Sequence, residues 1–560
     1  MASVLPSGGD AVTVNGVDGA SPPAVKQPRA AITEAEMHAE FAHHDGAVAR
    51  LNNGSFGCCP ATVLAARARW QRLFLAQPDA FYFHHLKPGL ARSRAALAAA
   101  VGAGDASEIS LIDNVTTAAA IIMQHVAWSF VEGDFARGDV VLMFLYTYNA
   151  VKNSIHAYVA RAGATVVEVP LPFPLASADA IVAEFRAALA VAKDGGRRRV
   201  RLAVIDHITS MPTVLIPVKE LVAICREEGV DKVFVDAAHS LGQVPVDVRD
   251  IGADFYASNL HKWFFCPSAV AFMHTRKNDT VANKLHHPVV SSEYGNGLPM
   301  ESAWIGVRDY SAQLVVPDVI DFVNRFDGGV EGIRSRNHDK VVEMGTMLAD
   351  AWGTFLGTPP ELCGSMVMVG LPGCLGIESE DDTVNLRTML RKRFKVEVPL
   401  YYNSRTAEVP PEIVKDSNGD PVTGYVRISH QVYNVREEYE VLRDAVAKLV
   451  ADGFSCAKLR RSDKCKIGMF GEKILVPPMG MMAVAVGAEA ARRPGWRQRS
   501  VGGRGGAALG TEAERHQGRR QGVQEALGQI GEEWGMTGEN AMGRLCISDG
   551  ILRVISSKKQ

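Results

Sequence analysis

Short apolar runs recur along the chain and are separated by polar turns and by stretches with helical periodicity. Val233, Phe234 and Val235 form one such run, apolar at consecutive positions, as a strand buried on both faces requires. Similar strands are predicted at Glu108–Ile112, Val140–Leu145, Ala164–Leu171, Arg199–Ile205, Asp254–Ser258 and Ser268–His274. Helices are predicted from Glu34, after Pro60, over Ala118–Trp128 and after Lys152. The stretch between Asp236 and Asp254 reads as a helix-sized connection. Strands alternating with helices predict an α/β fold whose mostly parallel sheet is flanked by helices. A long helix over Gly329–Trp352 should bridge to a smaller α+β domain, with strand-like runs at Met366–Leu371 and Tyr425–Ser429.

Length and composition sharpen this picture. A chain of 560 residues is too long for one small core and suggests two or three domains. Residues 1–33 are rich in Gly, Ser, Pro, Ala and Val without periodicity and read as a disordered head. The folded domains are expected at 34–328 and 329–455. Residues 456–560 read as a low-complexity basic tail: positions 461–560 hold 18 of the 52 glycines and carry 16 Lys and Arg against 10 Asp and Glu. The whole chain has a formal charge of −2, which does not suggest a nucleic-acid partner. No apolar run reaches the roughly 18 residues of a membrane span. The nine cysteines include no CxxC pair, fit a reducing compartment, and give no metal-site expectation. The head mixes Asp10 and Asp18 with Lys26 and Arg29, a weak targeting signal. A cytoplasmic location is expected, with mitochondrion or plastid as the alternative.

Candidate chemistry sits where two strands end. Asp236 closes the Val233 run, and Lys262 follows the Asp254–Ser258 run. In open α/β sheets, ligands bind in the crevice beyond the strands' carboxyl ends. A lysine amine there can hold an aldehyde cofactor while a carboxylate keeps a pyridine nitrogen protonated, the pairing that pyridoxal phosphate (PLP) chemistry uses. Small polar residues at Asp113–Thr117 open a helix and offer backbone N–H groups to a phosphate.

The motifs Asp236-Ala-Ala-His239 and Ser258-Asn-Leu-His261-Lys262 resemble the PLP-binding region of the class V aminotransferase family, fold type I. The resemblance spans roughly residues 40–452 and extends to the isopenicillin-N-epimerase-like branch, which includes plant L-cysteine desulfhydrases. It implies a large PLP-binding domain, with the chain's N-terminal part joining the small domain. Lys262, Asp236 and His239 are implied as the catalytic set. Asn114, Thr116, Thr117, Tyr148, Thr209, Ser258 and His261 are implied around the cofactor, with His207 a second choice beside Thr209. Arg427 is implied for the substrate carboxylate, with Asn53 and Ser55 near the substrate. A homodimer is usual in the family. Two threonines that commonly reach the neighbouring subunit's cofactor are Ile305 and Val307 in this chain.

The implied reaction is α,β-elimination of L-cysteine to hydrogen sulfide, pyruvate and ammonia, with Lys262 as the base at Cα. A cysteine desulfurase is the nearest rival. It needs a mobile cysteine shortly before the carboxylate-binding arginine, and none lies between Cys374 and Cys456. An epimerase, an aminotransferase, a C–S lyase acting on an S-substituted cysteine and a non-catalytic PLP-binding protein are the remaining alternatives.

Overall fold

The structure is a computed structural model. It describes residues 31–277, 284–403, 414–458 and 460, together with strands at 545–548 and 551–554.

A two-residue strand, β1 (Ala49–Arg50), precedes the main sheet. The sheet holds β2 (Ile109–Ile112), β3 (Val140–Phe144), β4 (Thr165–Val169), β5 (Val200–Asp206), β6 (Val233–Asp236), β7 (Phe255–Asn259) and β8 (Ala271–Thr275). Its order is β2-β8-β7-β6-β5-β3-β4. The pairs from β4 through β7 are parallel, and β8 runs antiparallel to both neighbours.

Alternation along the strands explains why the runs are apolar throughout. Val233 and Val235 face one core, which also takes Leu142, Ala203, Ile205 and Tyr256. Phe234 faces the other, with Met143, Val204, Phe255 and the helix Val115–Val131. Both faces are covered, so both side-chain sets must be apolar.

The β6–β7 connection departs from the helix-sized expectation. It forms one short turn of helix, Val248–Ile251, after an irregular path. Gly242 has φ +93°, and a Cβ there would lie 2.3 Å from the Trp263 carbonyl oxygen. The path is pressed against the residues around Lys262, and Pro245 bars a helix through it.

A second layer contains β9 (Met366–Gly370), β10 (Val396–Glu397), β11 (Leu400–Tyr402) and β12 (Gly424–Ser429). The antiparallel order is β11-β12-β9, while β10 pairs in parallel with β1. Its core joins Ala49 and Leu51 to residues of the helices Gly329–Trp352, Glu380–Phe394 and Arg436–Ala451. Cys456 is buried in this core, and Arg460 pairs with Glu378 and Asp382. Packing therefore continues past the expected boundary at 455.

At the other end, Thr33 caps the helix Glu34–Glu40. Residues 1–30 of the expected head lie outside the described residues, as does most of the expected tail. In a separate unit, β13 (Leu545–Ser548) and β14 (Ile551–Val554) pair antiparallel.

Candidate active site

A cavity of about 190 Å³ opens at the carboxyl ends of β5, β6 and β7. Asp206 and Asp236 end neighbouring parallel strands and are register partners. Lys262 follows β7 on the one-turn helix Leu260–Trp263. Asn114, Thr116, Tyr148, His239 and His261 complete one side, and Ser55 and Ser210 the other.

Lys262 keeps part of its surface open to the cavity but is ringed by protein. Desolvation brings its amine down to about 8, despite the opposing pull of Asp236. Its Nζ lies 3.1 Å from His239 Nε2. Trp263 Nε1–H, which can only donate, lies 3.4 Å from His239 Nδ1. With Nδ1 accepting, the neutral ring carries its proton on Nε2 and presents it to the lysine. The network therefore suits a neutral, nucleophilic Lys262. Burial holds His239 well below the usual histidine range.

Both carboxyls on the cavity floor are raised by burial. For Asp206 the charge of Asp236 adds to the effect, while Thr147 Oγ1 donates to Asp206 Oδ2 at 2.8 Å. Asp236 accepts from the Ala238 amide at 3.0 Å and forms no ion pair among the described residues. Asp206 was not selected from the sequence. Its signal was present: it closes a buried strand just as Asp236 does.

Arg427, on β12, is 3% exposed and has no carboxylate partner among the described residues. Nη1 donates to the Ser210 carbonyl (2.7 Å) and hydroxyl (3.3 Å). Nη2 donates to Asn52 Oδ1 (3.1 Å) and Ser55 Oγ (3.0 Å). Nε has no partner. Desolvation lowers the guanidinium to about 10. Through Ser55 and Ser210 this uncompensated cation reaches the cavity wall. Asn52 and Ser210 were missed by sequence reasoning, because their role depends on a contact across more than two hundred residues.

Several expected residues stand elsewhere. Thr209 is fully buried, with its hydroxyl donating to the Pro212 carbonyl at 2.6 Å and accepting from the Val214 amide at 2.9 Å. It fastens a loop and does not line the cavity. His207 is buried against the Tyr256 hydroxyl. Ser258 lies beneath the site and accepts from the Leu241 amide. Thr117 gives both its amide and its hydroxyl to Asn114 Oδ1, so it is part of the helix cap. The Val115 amide is taken by Asn259, leaving Thr116 facing the cavity.

Asn53 also departs from the substrate role. Its Nδ2 donates to the Lys262 carbonyl at 3.0 Å, and its Oδ1 accepts from the Tyr433 hydroxyl at 2.6 Å. Gly57 closes this turn at φ +66°, where a Cβ would meet the His261 carbonyl at 1.7 Å. The turn is thereby clasped to the lysine's backbone.

The donor set fits PLP. A primary amine brought down to about 8, a buried carboxylate without a cation, the opening of a seventeen-residue helix and the half-exposed Tyr148 ring face one cavity.

The family model described as "Aminotransferase class-V" matches residues 82–296. A protein of Oryza sativa subsp. japonica named "Putative L-cysteine desulfhydrase 2" is 85% identical over 476 residues, 83% of this chain and 99% of that protein. An Arabidopsis thaliana protein named "L-cysteine desulfhydrase" is 56% identical over 439 residues, 78% of this chain and 96% of that protein. Among solved structures, a C-DES mutant with glycine covalently linked to its PLP cofactor shares the fold at TM-score 0.55 and 17% identity, covering 73% of this chain and 98% of that one. The chain belongs to the class V aminotransferase family, in the branch that holds the plant L-cysteine desulfhydrases.

Proposed function

We propose that this chain is a PLP-dependent L-cysteine desulfhydrase. The relatives that carry this name at 56% and 85% identity support the reading. One observation separates it from a desulfurase: among the described residues, no cysteine lines the cavity. Sulfur leaving the substrate then meets no protein thiol to take it as persulfide.

Pyridoxal phosphate, when bound, supplies an aldehyde and an electron sink for chemistry at an amino acid's Cα. Lys262 Nζ would hold that aldehyde. As the amine nearest the reacting carbon, Nζ would take the proton from the substrate's Cα. Asp236 would keep a proton at the ring nitrogen. Asn114 and Thr116, at the helix opening, would hold the cofactor's phosphate, and Tyr148 would lie against its ring. His239 orients Lys262, and burial makes the amine's proton easier to lose than a free lysine's. Arg427, with Ser55, receives the substrate carboxylate. L-cysteine and one water give hydrogen sulfide, pyruvate and ammonia.

The functional form is a homodimer. Exposed Phe83 and Val307, which line one apolar groove, supply surface for the second copy. Light scattering on the purified chain checks this directly. Among the described residues no helix is long and apolar enough to cross a membrane. A relative from Arabidopsis thaliana with "chloroplastic" in its name, 57% identical, supports the plastid alternative to a cytoplasmic location.

Sulfide and pyruvate measured together from L-cysteine test the reaction. Equal amounts are expected. Alanine in place of pyruvate, with sulfur retained as persulfide, would move the assignment to a desulfurase.

A further inference from the structure

We infer that His43, His44 and Cys58 form a site for a thiophilic divalent cation of the zinc class. The two histidines lie just beyond the helix Glu34–Glu40, and Cys58 follows the Gly57 turn. One ligand atom from each residue lies within 4.8 Å of the other two. His44 Nε2 and Cys58 Sγ are 2.8 Å apart. Around tetrahedral zinc, sulfur and nitrogen ligands stand about 3.5 Å apart and two nitrogens about 3.3 Å apart. Shifts on the order of an ångström would bring the three into that geometry. A histidine pair and a thiolate are the donor types zinc takes, and three protein ligands leave the fourth position for water or an external thiol.

The site rests on the geometry, because burial acts on the two ligands in opposite senses. Burial lowers His44 to about 4, so its imidazole is neutral at pH 7, as a ligand must be. Burial lifts the Cys58 thiol to about 12. Binding therefore forms the metal–sulfur bond as the S–H bond breaks and releases that proton to solvent. The positive charge of Arg50 favours the deprotonated form of both groups.

None of the three residues lines the cavity, yet the cluster is joined to it. The Tyr433 ring packs 4.8 Å from the His44 ring, and its hydroxyl donates to Asn53, which clasps the Lys262 carbonyl. A cation here would tie the end of the first helix to the turn that carries Asn53 and Ser55.

The test is equilibrium dialysis of the full-length holoenzyme against zinc after chelator treatment, with elemental analysis, followed by zinc-edge X-ray absorption. One zinc per chain is expected, with one sulfur at about 2.3 Å and nitrogen at about 2.0 Å. Cys58→Ser and the exposed-site variant His43→Asn should each weaken binding by on the order of a thousandfold, above the roughly 10–100-fold that outer partners carry. Cys59→Ser and Cys374→Ser should bind as the parent does. Because His43 is exposed, its variant keeps the test valid even if Cys58→Ser fails to fold. Zinc that binds equally to His43→Asn and the parent, a sulfur-free absorption spectrum, or no stoichiometric zinc would overturn the inference.

Discussion

At the amino end of the central sheet, the guanidinium of Arg201 in β5 lies 2.5 Å from Asp139 and 2.6 Å from Asp231. Arg201 and Asp139 are buried and complete one another. At the carboxyl end of the same strands, Asp206, Asp236, Lys262 and Arg427 form no ion pair among the described residues. Both ends place charge in a low-dielectric setting, where an unpaired ion is costly and a paired one roughly breaks even. The amino end therefore has the character of structure. The carboxyl end holds charge in readiness for groups that arrive from outside: a ring nitrogen for Asp236, an aldehyde for Lys262, a carboxylate for Arg427.

Substitutions can break this contrast from either side. Arg201→Met leaves Asp139 buried without its cation and should cost about 3–5 kcal/mol of stability, read by denaturant unfolding. Its KM for L-cysteine should stay near the parent's. Arg427→Met should do the reverse. Loss of a charge-assisted pair of about 2–5 kcal/mol raises KM by on the order of a hundredfold, with a smaller change in unfolding midpoint than Arg201→Met. Equal stability losses in the two variants would dissolve the distinction.

The pH dependence sharpens the lysine's part. With its folded value lowered from 10.5 to about 8, the neutral amine fraction falls about tenfold for each pH unit below that point. The rate of cofactor loading, followed by absorbance, should rise with pH and level off above about 8. Between about 8 and 10.5 the unfolded chain binds the extra proton, so Lys262 makes the cofactor-free protein more stable as pH rises through that window. A loading rate that still climbs steeply well above 8 would contradict the neutral-lysine network.

The smallest effect belongs to Thr209→Val. Removing a hydroxyl that serves the Pro212 carbonyl and the Val214 amide should cost about 1–3 kcal/mol of stability. The absorbance of the loaded enzyme should not change. A spectral shift would return Thr209 to the cofactor.

The legibility of this molecule follows the same division. Strands buried on both faces announce themselves as apolar runs, which is why the element from Val233 to Asp236 and the polar residues closing it could be read directly. Asp236 and Lys262 stand out because each follows a strand end, while His239 comes only with the family resemblance; the structure brings the three to one cavity. What the sequence concealed depends on contacts distant along the chain. Asn53 looked like a substrate residue, but its amide is engaged by Tyr433 and by the backbone of Lys262. Thr209 and Ser258 carry hydroxyls suited to a cofactor, yet nearby backbone amides claim both. The connection after Asp236 lacks its expected helix because Gly242 must approach Trp263. Asp206 was visible at a strand end but lost to its more familiar neighbours.

The most direct test of the account compares sulfide release from L-cysteine by the parent and by Lys262→Ala, each loaded with PLP and matched for folding by circular dichroism. The account predicts a fall of at least about a thousandfold, since the variant loses both the attachment amine and the base at Cα. Sulfide release at the parent's rate from Lys262→Ala would contradict it.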